Sequence, residues 1–362
     1  MRFTSIGFQH FRNLTDTLIS TDAKHVVLVG ENGQGKSNFL EAIYTLCYGS
    51  SFRTPQTKHL VRHGEREFAL SAIMRTDEEL LQQMTFRFKD GAREIRIDGK
   101  EITDRKELLY HVPCIVFTHD DIEFIRGEPE QRRRFFDQTM SMYDPLYFDD
   151  LRRYRALLRQ RNAAIKEEYY SLLPLYNEQL AEVGLQLQQK RASECATFNT
   201  LFTPLYKEVS QSDVNIHVNY KASWGSCNSI DEVVTKLEQQ VESDMRMQTT
   251  TSGPHRDQFV VTQDNLQFSL VGSTGQMRLA SLLFRIAQMM NYKNHTSKKP
   301  VLLIDDVLLE LDIVKRGLFL SHVSGYSQAF FTFLPDESYF SSDETHDTLT
   351  YQVKQGNIVE FK

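Results

Sequence analysis

The hydrophobic positions near the start of the chain predict a strand, a glycine-rich turn and a helix in succession. Residues 25–29 (HVVLV) form a continuous apolar run that ends at Gly30, as is typical of a buried strand. Apolar residues then recur at helical spacing from Ser37 to Cys47, and Gly49 follows as a stop signal. Residues 2–9 alternate in part and predict a further strand ahead of this segment.

Hairpins are predicted in two other regions of the chain. Residues 68–102 are strand-like, with turn sequences at 89–91 (KDG) and 98–100 (DGK). The end of the chain, residues 351–361, predicts a hairpin that turns at Gly356-Asn357.

The middle of the chain changes character. Residues from about 130 to 209 are rich in Arg, Gln, Glu and Leu at helical periodicity and contain few glycines or prolines, so they predict a helical lobe. After it, residues 301–305 (VLLID) are apolar without alternation, as in a parallel sheet covered on both faces. The pattern therefore predicts an α/β fold that the helical segment interrupts.

Residues 30–37 (GENGQGKS) match the P-loop pattern G-x4-G-K-S in full, between the predicted strand and helix. Glycines let backbone N–H groups point at phosphate oxygens, and the helix N-terminus adds its dipole. We expect Lys36 to be a solvent-facing ligand of the β- and γ-phosphates and Ser37 to hold Mg²⁺. The motif predicts ATP binding and hydrolysis, with these ligands: Gly30, Glu31, Asn32, Gly33, Gln34, Gly35, Lys36 and Ser37.

Two aspartates end the second apolar run. A carboxylate at the carboxyl end of a parallel strand can meet the magnesium ion beside a P-loop, and Asp305 is the candidate for that role. Asp306 would then orient or deprotonate the attacking water. Together with Lys36, Asp306 is the predicted catalytic residue.

A further motif lies ahead of a predicted helix. Ser273-Thr274-Gly275-Gln276 resembles the signature motif of ABC-type ATPases, and residues 310–312 (ELD) resemble their D-loop. A serine that caps a helix is the alternative interpretation of the first motif. The order P-loop, signature, aspartate strand and D-loop favours the ABC interpretation, in which Ser273, Gly275 and Gln276 contact nucleotide.

Longer segments are similar to the RecF family of bacterial DNA replication and repair proteins, which are relatives of SMC heads. They include residues 11–14 (FRNL), the P-loop with its helix, 51–53 (SFR), 117–137, 154–162 and 253–257 (GPHRD). The resemblance runs nearly end to end and adds Arg12 to the expected nucleotide ligands. His119 replaces the family's usual proline, Phe333 follows Thr332 where relatives carry a polar switch residue, and only Asp120 or Asp121 could stand for a Q-loop glutamine.

The resemblance implies a fold, a set of domains and an activity. The fold would be α/β, an ABC-type P-loop NTPase head made from residues 1–112 and 245–362, with residues 113–244 as an inserted helical lobe. The activity would be weak, DNA-dependent ATP hydrolysis. The protein would form an ATP-dependent homodimer. Such a protein binds single-stranded, gapped or junction DNA, aids recombinase loading and the SOS response, and works with RecR and RecO.

Arginines are the candidate DNA ligands, because their forks fit phosphates and no base-reading module is visible. Arg152, Arg155 and Arg159 share one predicted helix face, and an upstream group lies between residues 126 and 134. A solvated face with salt bridges is the alternative interpretation. The candidates are Arg53, Lys58, Arg62, Arg132, Arg133, Arg152, Arg155 and Arg159.

Composition and charge narrow the classes of function that the chain could have. The chain has 40% apolar and 25% charged residues and a net charge of −6, which argues against indiscriminate coating of nucleic acid. No apolar run suits a membrane helix and no signal-peptide core begins the chain, so a cytoplasmic protein is expected. The four cysteines are far apart and predict no zinc site. An ATP-gated scaffold for protein partners remains the alternative function, whereas the long spacing between Ser37 and Ser273 disfavours a transporter ATPase.

Overall fold

A computed structural model describes residues 1–335 and 347–361, without the side chains of Leu309 and Glu310. Its contacts divide the chain into two compact units. The first comprises Met1–Asp120 and Thr296–Lys362, and the second comprises Asp121–His295.

The first unit contains most of the described strands, whereas helices dominate the second. The strands are β1 Arg2–Gln9, β2 Thr17–Ser20, β3 His25–Val29, β4 Phe68–Arg75, β5 Leu81–Lys89, β6 Ala92–Ile97, β7 Lys100–Glu101, β8 Cys114–Phe117, β9 Ile216–Lys221, β10 Gln258–Gln263, β11 Leu266–Gln267, β12 Val301–Asp305, β13 Gln328–Phe333, β14 Thr348–Lys354 and β15 Asn357–Glu360. The helices are α1 Lys36–Tyr48, α2 Arg105–His111, α3 Glu123–Arg126, α4 Pro129–Ser141, α5 Pro145–Lys166, α6 Leu173–Ser210, α7 Ile230–Gln239, α8 Val241–Met247, α9 Phe268–Val271, α10 Thr274–His295 and α11 Ile313–His322.

A mixed sheet forms the centre of the first unit, in the order β15-β14-β3-β13-β12-β8. All of its pairs are parallel except the β14–β15 hairpin. Every residue of β12 and β13 is buried, which explains why β12 reads as a continuous apolar run. The parallel register sets the carboxyl ends of β3, β12 and β13 side by side, where the predicted P-loop and aspartates lie.

The first unit also contains an antiparallel sheet in the order β2-β1-β4-β5-β6-β7. Its β5–β6 and β6–β7 hairpins turn at residues 90–91 and 98–99, so both predicted turns are confirmed. The predicted strand at residues 2–9 and the terminal hairpin are confirmed as β1 and as β14–β15.

The second unit contains the predicted helical lobe. Three helices, α4, α5 and α6, cover residues 129–210 with short breaks, as the periodicity indicated. A three-stranded antiparallel sheet in the order β11-β10-β9 accompanies them. Aromatic rings fill the core, and Phe136 stacks on Phe259 with ring centroids 4.1 Å apart. No helix in residues 1–335 or 347–361 is long and apolar enough to cross a membrane.

The contact division differs from the expected boundaries at 112/113 and 244/245. β8, expected in the helical lobe, pairs in parallel with β12 and so belongs to the first unit. Residues 245–295 group with the second unit, because β10 pairs with β9 over six positions and α10 packs on α6. The helix that follows the signature-like motif is therefore part of the helical unit.

A buried arginine of the second unit joins two of the segments that carry the family resemblance, residues 117–137 and 253–257. Arg191 donates to Asp137 of the first segment at 2.8 Å and to Asp257 of the second at 2.8 Å. It also donates to the carbonyl of Pro254 at 2.6 Å. Arg191 and both carboxylates are buried, so removing either partner would leave an uncompensated charge.

His255 is a half-buried neutral base beside this network. Its Nε2 lies 2.9 Å from the carbonyl of Thr250, which can only accept, so Nδ1 accepts from the Tyr154 hydroxyl at 2.8 Å. Burial lowers the pKa of His255 from 6.5 to about 4. Arg256 and Arg133 act in the same direction, while the Thr250 contact and Asp244 oppose it.

This depressed pKa predicts an acid-sensitive contribution to stability. An unfolded histidine binds a proton near pH 6.5 and the folded one only near pH 4, so the contribution is complete above 6.5 and is lost as pH falls towards 4. Between pH 7 and 4, the wild type should lose roughly 3 kcal/mol more unfolding free energy than His255→Gln. Chemical denaturation of both proteins across this range measures the difference. Parallel pH profiles would contradict the assignment of a neutral His255.

Candidate nucleotide-binding site

The P-loop connects the carboxyl end of β3 to the N-terminus of α1. β3 lies between β13 and β14 in the central sheet, and the Gly30 N–H donates to the carbonyl of Phe333 at 3.1 Å. A cavity of about 200 Å³ opens over the loop. Its lining is polar and suits phosphate groups, and consists of Glu31, Asn32, Gly33, Gly35, Lys36, Ser37, Asn38, Arg53 and Asp306.

Lys36 is buried, with 4% of its side chain exposed, so the expectation that it faces solvent is wrong. The ammonium donates to the carbonyls of Gly30 at 2.6 Å and Glu31 at 3.3 Å, and it lies 3.4 Å from Oδ2 of Asp306. The loop thus holds its own lysine in place. A phosphate entering the cavity would offer this ammonium a stronger partner than the carboxylate.

Ser37 and Asp305 are adjacent, as the magnesium assignment requires. The Ser37 hydroxyl donates to Oδ1 of Asp305 at 2.8 Å. Neighbouring oxygens around an octahedral Mg²⁺ are about 3.0 Å apart, given ligand distances of about 2.1 Å. In the described part of the chain, no group of three or more His, Cys, Asp or Glu side chains could hold a metal. A serine hydroxyl beside a carboxylate suits an Mg²⁺ ion that takes its other ligands from phosphates and water.

Thr332 connects the two aspartates, a role that sequence reasoning missed. Its hydroxyl lies 3.1 Å from Oδ1 of Asp305 and 3.0 Å from Oδ1 of Asp306, and it accepts from the Asp306 N–H at 2.8 Å. The parallel register pairs Thr332 with Asp305, which brings the hydroxyl to this position. Burial raises the pKa of Asp305, Asp306 acts in the same direction, and the Ser37 hydrogen bond opposes them. A polar threonine among the phenylalanines of residues 330–333 (FFTF) was the available signal.

Arg12 is held by a buried carboxylate that sequence reasoning also missed. Its Nε and Nη2 donate to the two carboxylate oxygens of Glu41, each at 2.9 Å. Arg53 lies 3.7 Å from the same carboxylate and donates to Asn38 at 2.8 Å. Glu41 is fully buried on α1 and holds both arginines, and of the two only Arg53 lines the P-loop cavity. A glutamate on the apolar face of a predicted helix was the signal, since a buried charge needs a partner.

The signature-like motif forms the exposed start of α10. The Ser273 hydroxyl accepts from the Gln276 N–H at 3.2 Å, and the Gln276 side chain accepts from the Ser273 N–H at 2.8 Å. This is a reciprocal capping box, so the helix-cap interpretation is correct as far as it goes. Accepting a hydrogen bond leaves the hydroxyl proton of Ser273 for another acceptor. Ser273, Gly275 and Gln276 are all exposed.

Two other expectations concern short motifs. Asp312 caps α11 by accepting from the Lys315 N–H at 2.9 Å, while the side chain of Glu310 lies outside the described residues. Asp121 accepts from Arg285 of α10 at 2.8 and 3.1 Å and is buried. A carboxylate bound in this way holds α10, and is not disposed to replace a Q-loop glutamine.

Three of the candidate DNA-binding arginines are engaged within the fold. The expectation that Arg132 binds DNA is wrong, because the residue is only 8% exposed. It donates to the carbonyls of Gly127 at 2.7 Å and Ile125 at 3.3 Å. Arg133 is half-buried and donates to the carbonyl of Asp257 at 2.8 Å. Arg62 binds Asp16 and the carbonyl of Leu14. Their donors stabilise loops, and Arg132 exposes too little of its side chain to serve as a nucleic-acid ligand.

The other candidates are exposed. α5 carries Arg152, Arg155 and Arg159 on its accessible side, and Lys58 is exposed in the first unit. Arg155 lies 3.4 Å from the buried Asp137, so its charge is partly neutralised. Arg152 lies over the ring of Phe148, 5.9 Å from its centroid. The structure brings the arginines of α5 together, and Arg53 lies at the P-loop instead.

Known proteins resemble this chain along its whole length. A profile of the RecF/RecN/SMC N-terminal domain matches residues 2–355. The DNA replication and repair protein RecF of Treponema pallidum is 40% identical over 332 residues, covering 91% of this chain and 93% of that protein. The chain belongs to the RecF family. The RecF of Leptospira interrogans serovar Lai is 31% identical, covering 90% of each chain.

Solved structures agree with the family and the fold. A structure of the recombination mediator protein RecF-ATP in the RecFOR pathway has a TM-score of 0.91 at 26% identity, covering 100% of this chain and 98% of that one. An SMC head bound to the C-winged helix domain of ScpA has a TM-score of 0.57 at 15% identity, covering 100% and 98%, and shows the fold alone. The predicted ABC-type ATPase head with an inserted helical region is therefore confirmed.

Proposed function

We propose that the chain binds ATP with Mg²⁺ at the P-loop and hydrolyses it slowly, as a DNA-dependent step in DNA replication and recombinational repair. The observation that carries this proposal is the chain of contacts from Ser37 through Asp305 and Thr332 to Asp306, beside the P-loop lysine. It brings metal ligands, a candidate base and a phosphate ligand together beside the P-loop. The similar RecF protein whose structure was solved with ATP supports the same nucleotide.

Each group has a distinct task in this proposal. Mg²⁺ held by Ser37 and Asp305 would neutralise charge on the β- and γ-phosphates. Lys36, already oriented by the loop carbonyls, would move its hydrogen bond from Asp306 to phosphate. Asp306 would then accept a hydrogen bond from the attacking water. Thr332 keeps both carboxylates in position while this exchange occurs.

A homodimer would complete the site. Ser273, Gly275 and Gln276 lie in the second unit and are exposed at a helix N-terminus, a position suited to an anion. Large apolar side chains are exposed beside the signature-like motif, namely Leu270 at 80% and Val271 at 45%. Others are exposed after the D-loop-like motif, namely Ile313 at 83% and Val314 at 58%. Such apolar exposure supports a surface covered by another protein, and a second copy would supply the signature residues to γ-phosphate.

DNA binding would use the arginines of α5. Arg152 and Arg159 are exposed, and contacts to phosphates need no base-reading element. The names of the relatives support a role in DNA replication and repair, and the RecFOR pathway of the similar RecF-ATP protein supports RecO and RecR as partners. By the same reasoning we propose gapped or single-stranded DNA as the ligand, aid to recombinase loading and the SOS response, and a cytoplasmic location.

Removing two arginines tests the DNA assignment. In Arg152→Ala/Arg159→Ala, affinity for gapped DNA in the presence of ATP should fall about tenfold. The slope of log K against log salt should fall by about one to two, because each lost phosphate contact reduces counterion release. Fluorescence anisotropy across a salt series measures both quantities, with and without ATP. Arg87→Ala, at an exposed arginine of β5, is the matched control.

The salt series also separates the alternative function. If the wild type binds gapped DNA with no salt dependence, or does not bind it at all, an ATP-gated scaffold for protein partners is favoured. If the wild type binds and the double variant matches it in affinity and slope, DNA is held elsewhere than on α5.

A further inference from the structure

The turn of the β14–β15 hairpin lies against the P-loop. The Gly356 N–H donates to the carbonyl of Gln34 at 2.8 Å, and the Gln355 N–H donates to the Gln34 side-chain oxygen at 2.6 Å. Asn13 donates weakly to the same carbonyl at 3.4 Å. The carbonyl of Gly356 accepts from the Thr15 N–H at 2.9 Å. One P-loop residue is thus bonded to a hairpin more than 300 residues away in sequence.

The register of β14 explains this contact. β14 runs parallel to β3 and their last pair is Gln352 with Val29. Beyond this pair β3 turns into the P-loop, while β14 continues through Val353 and Lys354 to the hairpin turn. The carbonyl of Val353 would lie 2.4 Å from a Cβ at Gly30. The hairpin therefore supports the P-loop at its first residue and again at Gln34.

Gly356 is fixed by the closeness of this approach. A Cβ at Gly356 would lie 1.8 Å from the carbonyl oxygen of Asn13, a backbone atom. The turn has φ values of 50° at Gln355 and 78° at Gly356. The β5–β6 turn has almost the same backbone, with 49° at Asp90 and 82° at Gly91, yet nothing lies within 4 Å of a Cβ at Gly91. These two turns have closely similar φ values and differ in their surroundings.

Gln34 is the part of the P-loop that most needs such an anchor. It stands between Gly33 and Gly35, whose φ values are 76° and 119°. Glycines on both sides allow the loop many backbone conformations, and only one aims its N–H groups at phosphate. A restraint at Gln34 limits that freedom before nucleotide arrives, so less order remains to be imposed on binding.

We propose that the Gln355-Gly356 turn is a positioning element that holds the P-loop, through Gln34, in the conformation that receives phosphate. The turn touches neither metal ligand nor candidate base, so its effect falls on nucleotide affinity and not on the chemical step. This inference rests on the proposed binding of ATP at the P-loop. Because coupling is reciprocal, bound ATP must also stabilise the turn.

The matched glycines provide the test. Gly356→Ala and Gly91→Ala introduce the same methyl group at the same positive φ, but only the first displaces a turn from the P-loop. We expect Gly356→Ala to raise the Kd and KM for ATP about tenfold with little change in kcat, the equivalent of one lost hydrogen bond. Gly91→Ala should leave Kd unchanged. Titration calorimetry and steady-state hydrolysis measure these values, with denaturant melts of both variants alongside.

Two further measurements exclude a general loss of stability. Gln34→Ala removes the acceptor of the Gln355 N–H, and its effect on Kd should be less than additive with Gly356→Ala, since both act through one contact. Hydrogen exchange should slow at Gln355 and Gly356 when ATP is added, while Asp90 and Gly91 exchange as before. Lys36→Ala should abolish that slowing.

The outcomes distinguish the two proposals. If wild type and Lys36→Ala fail alike to bind ATP, the proposed function falls. If wild type binds ATP but Gly356→Ala matches Gly91→Ala in Kd, or ATP leaves exchange at the turn unchanged, the positioning role of the hairpin is wrong and ATP binding stands. A Gly356→Ala protein that does not fold shifts the decision to Gln34→Ala and to exchange in the wild type.

Discussion

Replacing Asp306 with asparagine is expected to slow ATP hydrolysis by about 10²–10⁴-fold while ATP still binds, as for loss of a general base. The amide cannot accept a proton from the attacking water. It can keep the contact with Thr332, and asparagine tolerates the left-handed backbone, with a φ of 53°, that Asp306 adopts. The altered protein should therefore accumulate its ATP-bound form. Single-turnover hydrolysis and nucleotide titration measure the two effects separately.

Asp305→Asn is the matched control, because it makes the same change one residue away. Asp305 is bonded to Ser37 and is the proposed magnesium ligand, so its loss should weaken the magnesium-dependent part of ATP binding. The two variants should thus differ in kind: one in turnover, the other in its magnesium requirement. Normal turnover in Asp306→Asn would move the base to another residue.

Much of the site could be predicted because its parts are local in sequence. The sequence runs without interruption from β3 through the P-loop to α1, and each of these elements can be predicted from its own residues. The strand that carries Asp305 can also be predicted from its own sequence, because a parallel sheet covered on both faces favours an unbroken apolar run. Parallel pairing then implies that the carboxyl ends of these strands meet.

The missed residues act through contacts between distant segments. Thr332 matters only because β13 lies beside β12 in register, and neither strand alone specifies its neighbour. Glu41 is an acidic residue on a buried helix face, and its burial is explained by its ion pairs with Arg12 and Arg53. Arg132 is the converse case, because a sequence rich in arginine does not reveal which guanidinium is turned inward to a carbonyl.

The burial of Lys36 has the same origin. The P-loop pattern specifies the lysine, but the carbonyls of Gly30 and Glu31 that surround its ammonium depend on how the loop folds back. The ion pair with Asp306 depends further on β12, which arrives from the other end of the chain. A motif therefore predicts which ligand a site binds better than it predicts the contacts that its residues make before the ligand binds.

Arginine in place of Ser273 should block ATP-induced dimerisation while leaving ATP binding by the monomer nearly unchanged. Ser273 lies in the second unit and the P-loop in the first, and its exposed hydroxyl retains a proton for an anionic acceptor. A large cation at this point would obstruct the approach of the second copy. Because ATP can shift the equilibrium only by its preference for the dimer, hydrolysis should fall with dimerisation.

Two controls separate this effect from loss of the helix cap. Ser273→Ala removes the same capping oxygen, at a cost of about 1 kcal/mol to stability, but adds no bulk. The 22 residues of α10 are largely buried, so the helix should persist in both variants. Ser193→Arg places the same charge at an exposed serine of α6 and should dimerise with ATP as the wild type does. Sedimentation with and without ATP decides the matter. Dimerisation of Ser273→Arg at wild-type ATP concentrations would mean that the signature serine does not act on the nucleotide of a second subunit.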